Sequence, residues 1–126
     1  MKHIVEAYCY LDNAKDILST KAQKEDGFYL DKKYVKMAGH TAYTGLLVAL
    51  DGYFGNKKKG RKNVEWYQGE LAKIDKKISY SFSTAYTALH LDMGYDGSPS
   101  VVIANEGFRQ AEKIINWIEI KQEVVV

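Results

Sequence analysis

MAGHTAYTGLLVAL, residues 37–50, holds no Asp, Glu, Lys or Arg, although Lys36 precedes it and Asp51 follows. A helix over these residues is uncharged on every side. That is the pattern of a helix packed around most of its circumference rather than along one stripe. Crossing a bilayer takes about 20 apolar residues, so the stretch is too short for a span. It predicts the central helix of a soluble bundle, or one shared between a bundle core and a subunit interface.

Extended in both directions, this helix runs from about Lys32 to Phe54. Val35, Gly39, Ala42, Leu46, Leu50 and Tyr53 form its main stripe, and Tyr43, Leu47 and Phe54 widen it on one flank. Gly39, Ala42 and Gly45 let a neighbouring backbone come close, at about 1 kcal/mol of helix propensity per glycine. Upstream, KEDGFYLD breaks the helical pattern at Gly27, and Asp31 is placed to cap this central helix. A first helix is predicted from about Ile4 to Gln23, with Ile4, Tyr8, Leu11 and Leu18 at helical spacing.

Downstream, GNKKKGRKN (55–63) reads as a loop, with Asn63 as N-cap of a third helix ending near Lys73. The apolar positions from Val64 to Met93 also fit one long helix. The weak helix formers of KKISYS favour a break, with a fourth helix from about Asp75 to Met93. GYDGSPS (94–100) is a turn, Ser98 and Pro99 supplying an N-cap and a first-turn proline. The fifth helix carries Val101, Ala104, Phe108, Ala111, Ile115 and Ile118 on one stripe and ends near Gln122. The expectation is an all-α, five-helix up-and-down bundle forming a single domain over residues 1–126.

A chain of 126 residues buries a core without staples. Its 46% apolar and 27% charged content is that of an ordinary folded protein. A net charge of +2 sets up no global field toward nucleic acid or a membrane. The one cysteine, Cys9, excludes an internal disulfide, suits a reducing compartment and reads as a buried, inert thiol. Acidic residues come after Met1 too early for a signal peptide, so the expected location is cytoplasmic. Ten tyrosines suit bundle seams or a binding surface, since each joins a large apolar body to a polar tip.

No stretch encodes a recognisable reaction. His3 reads as a solvent-exposed terminal residue, while His40 and His90 read as boundary histidines of the second and fourth helices. A metal site in a bundle needs two ligands at i, i+3 or i+4 on one helix, and neither HxxxH nor ExxH occurs. No nucleophile elbow, phosphate loop or dinucleotide fingerprint is present, so no cofactor is implied. The remaining polar candidates are His40, Tyr43, Tyr86, His90, Tyr95 and Asp96, near the seam of the second and fourth helices. Lys57, Lys58, Lys59, Arg61 and Lys62 are the candidate phosphate contacts.

The blocks AYCYLDNAKDIL, YVKMAGHTAYTGLLVALDGYF, STAYTALHLDMGYDG and GFRQAEKIINWI resemble a small bacterial family of short, uncharacterised helical proteins. More distantly, the helix order and the pattern of Ala38 to Asp51 are similar to the HEPN superfamily (higher eukaryotes and prokaryotes nucleotide-binding domain). Many of its members resemble ribonucleases or toxins carrying Arg, four to six intervening residues, then His. Counting forward from Arg61 reaches Trp66 to Gln68, and from Arg109 reaches Ile114 to Asn116, with no histidine in either window. HEPN domains without that motif resemble binding or dimerisation modules.

The favoured reading is therefore a non-catalytic binding module of unknown ligand, working as a homodimer. The expected two-fold interface runs along the Tyr43, Leu47 and Phe54 flank, with tyrosines of the first helix. Two alternatives stand beside it. One is a divergent HEPN-type ribonuclease or toxin; the other is a nucleotide-binding subunit serving a separate nucleotidyltransferase, with nucleotide or RNA contact in either case.

Overall fold

A computed structural model describes residues 1–55, 57 and 60–123. Five helices form the fold: α1 (Lys2–Thr20), α2 (Lys32–Phe54), α3 (Val64–Ile74), α4 (Lys76–Ala85) and α5 (Val101–Glu123). α4 continues without a break into a π-helical segment, Tyr86–Tyr95. A two-stranded antiparallel hairpin, β1 (Lys24–Glu25) and β2 (Phe28–Tyr29), joins α1 to α2. The expected all-α bundle is present, with this small sheet added to it. No helix among the described residues is long and apolar enough to cross a membrane.

α2 is the centre of the bundle. Ten of its residues are buried, against eight in α5 of equal length. Its main stripe packs into a continuous core with Leu11 and Leu18 of α1, Leu71 of α3, Phe82 of α4, Leu89 and Met93 of the π segment and Ile114, Ile115 and Ile118 of α5. Close approach is built from glycine on both sides. A Cβ on Gly45 would stand 2.6 Å from Tyr10 Cβ and 2.9 Å from the Ala7 carbonyl oxygen of α1. A Cβ on Gly39 would stand 2.5 Å from the Leu89 carbonyl oxygen and 2.8 Å from the Gly94 nitrogen.

The helices start at their caps. Asp31 accepts from Lys33 N–H, Asn63 from Trp66 N–H, and Asp75 from both Lys77 and Ile78 N–H. The Asp75 cap makes the α3–α4 break real and leaves Ile74 exposed at the end of α3. Ser100, rather than Ser98, caps α5 by accepting from Ile103 N–H at 3.2 Å. Pro99 lies before the helix, where its carbonyl accepts from Tyr29 N–H at 2.8 Å.

Four further expectations are corrected. Asp26 and Gly27 adopt φ of 52° and 82°, the left-handed pair that closes a two-residue hairpin, so KEDGFYLD is a hairpin and not only a break. Ala7 rather than Tyr8 completes the buried stripe of α1, which turns Cys9 outward to solvent. His3 is half-buried, bonded through Nε2 to Gln122 Oε1 at 2.8 Å and packed against Gly52. Finally, Tyr43 and Phe54 are buried within the subunit, Tyr43 against Phe82 and Tyr86 and Phe54 against Trp66. Two of the three residues of the flank expected to meet a second subunit are thus covered by the chain's own α3, α4 and π segment, with Leu47 half-buried.

Candidate functional site

The π segment decides which side chains meet. In an α-helix, residues five apart point about 140° away from one another. A π-helix, with i→i+5 hydrogen bonds, is wider and brings such residues onto one face; it is rare, and where it occurs it is frequently functional. His90 and Tyr95 use this spacing, while Tyr86 lies the ordinary four residues before His90. The Tyr86 and His90 rings stack with centroids 5.4 Å apart, and Tyr95 meets the His90 ring edge-on at 5.2 Å. Asp96 N–H closes the segment by donating to the Leu91 carbonyl, five residues back, at 3.0 Å.

α2 supplies the other half. Tyr43 lies 4.7 Å from the His90 ring and 5.7 Å from Tyr86, while His40 approaches His90 at 5.7 Å and Tyr95 at 6.2 Å. The two elements come this close because Gly39 and Gly94 face each other; a Cβ on Gly94 would fall 2.8 Å from His40 Cε1. On the far side of the π segment, Gly107 of α5 lies beneath Leu89 and Ala88. Five of the six polar residues singled out from the sequence thus form one ring cluster. Asp96 is the exception: it is exposed, and its charge acts on Asp92, whose carboxyl is pushed up first by burial and then by Asp96.

The cluster is graded from core to solvent. Tyr43 is buried, and its phenol is pushed far up by burial, with Tyr86 adding to the effect. His90 is half-buried, and burial, with the neighbouring His40 as the lesser cause, holds its imidazole below the ordinary histidine range. Neutral imidazole is therefore its form at physiological pH. Its Nδ1 is buried and has no hydrogen-bond partner among the described residues. His40 and Tyr95 form the exposed rim, Tyr95 being 64% exposed. Met37, His40 and Thr44 on the outer face of α2 are exposed, with Thr41 and Val48 half-buried beside them. That arc carries no charge.

The basic run is placed differently from its expected role. Lys57 Nζ pairs with Glu70 at 2.8 Å and Lys62 Nζ with Asp51 at 3.1 Å. Lys58 and Lys59 lie outside the described residues, and Arg61 is exposed. Two of the five candidate phosphate contacts are thus engaged by carboxylates of the bundle. Glu70 is itself nearly buried and is also held by Lys73 at 2.7 Å, the two lysines drawing its carboxyl below the usual range. Sequence reasoning misses this junction, although a lysine loop ahead of an isolated Glu on an apolar face is the available signal. It also misses the π geometry, for which the four- and five-residue steps from Tyr86 to His90 to Tyr95 are the trace.

The similarities to known proteins bear on kinship alone. Residues 2–120 match a family described as "Domain of unknown function (DUF5618)". A solved structure of a protein of unknown function from Dyadobacter fermentans is similar at 57% identity and a TM-score of 0.92. The match covers 95% of this chain and 96% of that one. No curated protein matches.

Proposed function

We propose that this chain, which belongs to the family described as Domain of unknown function (DUF5618), is a non-catalytic binding module that works as a symmetric dimer through the outer face of α2. The observation that carries this reading is the uncharged arc beside the His40–Tyr95 rim, in which Met37, His40 and Thr44 are exposed and Thr41 and Val48 half-buried. An uncharged face on the central helix is best covered by a copy of itself, since a two-fold contact is self-complementary. The interface is thus moved from the Tyr43 flank to the neighbouring arc. With it go the single-domain reading of residues 1–126, the HEPN-like reading of the bundle, resting on helix order and the pattern of Ala38 to Asp51, and a cytoplasmic location.

Light scattering at micromolar concentration tests the proposal. The parent chain is expected at twice the subunit mass, and Thr44→Glu, which puts a charge at the centre of the arc, at the subunit mass. A parent chain that is monomeric throughout refutes it.

One observation favours a second reading. The convergence of His40, His90 and Tyr95 is what a divergent acid–base site for RNA or a nucleotide would need. Against it, no carboxylate orients either imidazole among the described residues, and Arg109, which could stabilise phosphate charge, lines a different groove, with Lys15 and Tyr29, that His40, His90 and Tyr95 do not line. Single-stranded RNA is expected to survive incubation with the purified protein. Cleavage that His90→Ala abolishes would reverse the order of the two readings.

A further inference from the structure

We propose that a second groove, between α1, the hairpin and α5, is a binding site for a small anion carried on a planar apolar body, such as an aryl phosphate or aromatic carboxylate. The groove encloses about 460 Å³, within the range of roughly 300–1,000 Å³ typical of small-molecule sites. Leu18, Tyr29 and Phe108 give it apolar and aromatic walls, and Ser19 and Asn105 add hydrogen-bonding groups. Lys15, Lys24 and Arg109 bring three cations to the lining, against Glu112 in the lining and Glu106, which pairs with Arg109. With Lys15 and Arg109 each paired to a carboxylate, Lys24 leaves the site with one net positive charge.

Two of the cations are fixed in place. Glu106 grips Arg109 through Nε at 3.0 Å and Nη2 at 2.7 Å, orienting the guanidinium plane and leaving Nη1 without a partner among the described residues. A planar guanidinium held this way suits the paired oxygens of a phosphate or carboxylate. Lys15 is paired with Glu112 and its Nζ lies 5.6 Å over the Phe108 ring, so the ammonium stands at the edge of an aromatic wall. Lys24, on β1, forms no ion pair among the described residues. It is carried to the groove by the hairpin, which α5 anchors through Val101 N–H on the Gly27 carbonyl at 3.2 Å. Cations set beside aromatic walls in one groove select an amphipathic anion over a bare one. None of these residues belongs to the α2 arc, so this site stands or falls separately from the dimer.

The test is an NMR titration of the isotope-labelled full chain with phenyl phosphate and, in parallel, inorganic phosphate at constant ionic strength. Phenyl phosphate is expected to give saturable shifts centred on the Tyr29, Asn105 and Arg109 amides, with inorganic phosphate at least about tenfold weaker. Arg109→Gln and Lys24→Gln each remove a charge-assisted contact and are expected to weaken phenyl phosphate by about tenfold, with unchanged unfolding midpoints. Shifts that fail to saturate, equal response to both probes, or variants that bind like the parent would each overturn the assignment.

Discussion

At the α3 end of the core, the inward-facing Asp51, Tyr67 and Glu70 all meet partners. Tyr67 donates to Asp51 at 2.6 Å, Lys62 reaches the same carboxylate, and Glu70 lies between Lys57 and Lys73. At the π end of the same core, the rings of His90, Tyr86, Tyr43 and Tyr95 contact one another, yet His90 Nδ1 is left unbonded. Both ends join α2 to the α3–α4 side of the bundle. The first does so with charge-assisted hydrogen bonds, which tolerate half-exposed positions. The second does so with shape, through opposed glycines and stacked rings, and keeps an uncharged rim facing outward. A binding face is expected at the second end, because an unpaired polar group beside an uncharged surface is where a partner gains most.

The largest effect expected from this contrast is at Gly39. Its Cβ would meet backbone atoms of Leu89 and Gly94, which have no rotamer to yield. Gly39→Ala should cost about 2–3 kcal/mol as overpacking, read as a lower urea midpoint at unchanged slope. Gly69→Ala on α3, where nothing lies within 4 Å, should instead gain about 0.5–1 kcal/mol of helix propensity. Similar costs at both sites would show that glycine approach is not what holds the π end.

A smaller loss is expected at the charged end. Tyr67→Phe removes the donor to Asp51 and should cost about 1 kcal/mol, the low end for a bond to a half-exposed charge. His90→Phe keeps the ring and removes the unbonded nitrogen, so stability at neutral pH should change by less than about 1 kcal/mol. An equal loss in both variants would mean that the His90 nitrogens are bonded after all.

The smallest effect is a pH dependence that separates the two ends. His90 titrates below its ordinary 6.5 in the folded state, so the unfolded chain takes up the proton first. Its stabilising contribution is present above 6.5 and is lost as pH falls from there through the lower folded value. Glu70, held below its ordinary 4.5, contributes above 4.5 and loses that contribution only as pH falls through its own depressed value. Urea midpoints of the parent should therefore decline on acidification below pH 6.5, and His90→Phe should remove that first decline while keeping the second.

Much of this molecule is legible in the chain. The uncharged run from Met37 to Leu50 identifies the central helix, and the bounds Lys32 and Phe54 agree with the structure, as do the caps at Asp31 and Asn63. The chain also offers His40, Tyr43, Tyr86 and His90 as candidates at one seam, with Tyr95 from the turn that follows the fourth helix. The misreadings share one cause. Periodicity assigns a residue to a face but not to a neighbour, so it takes Cys9 as buried and the Tyr43 flank as open when other helices of the same chain cover its Tyr43 and Phe54. The Asp26–Gly27 hairpin is readable from its dipeptide, a signal that a simple helix break leaves unused.

What the sequence determined by itself is local: caps, breaks and the spacing of apolar side chains arise from hydrogen bonding and burial within a few residues. The π winding of Tyr86–Tyr95 required tertiary structure. Those residues sit at ordinary α-helical spacing up to Met93, and nothing in their own propensities asks for a wider helix. The segment lies between Gly39 of α2 and Gly107 of α5, two positions lacking side chains, which give a wider helix the room it needs. That winding turns Tyr95 onto the face of His90, so the ring cluster exists only because distant parts of the chain pack there.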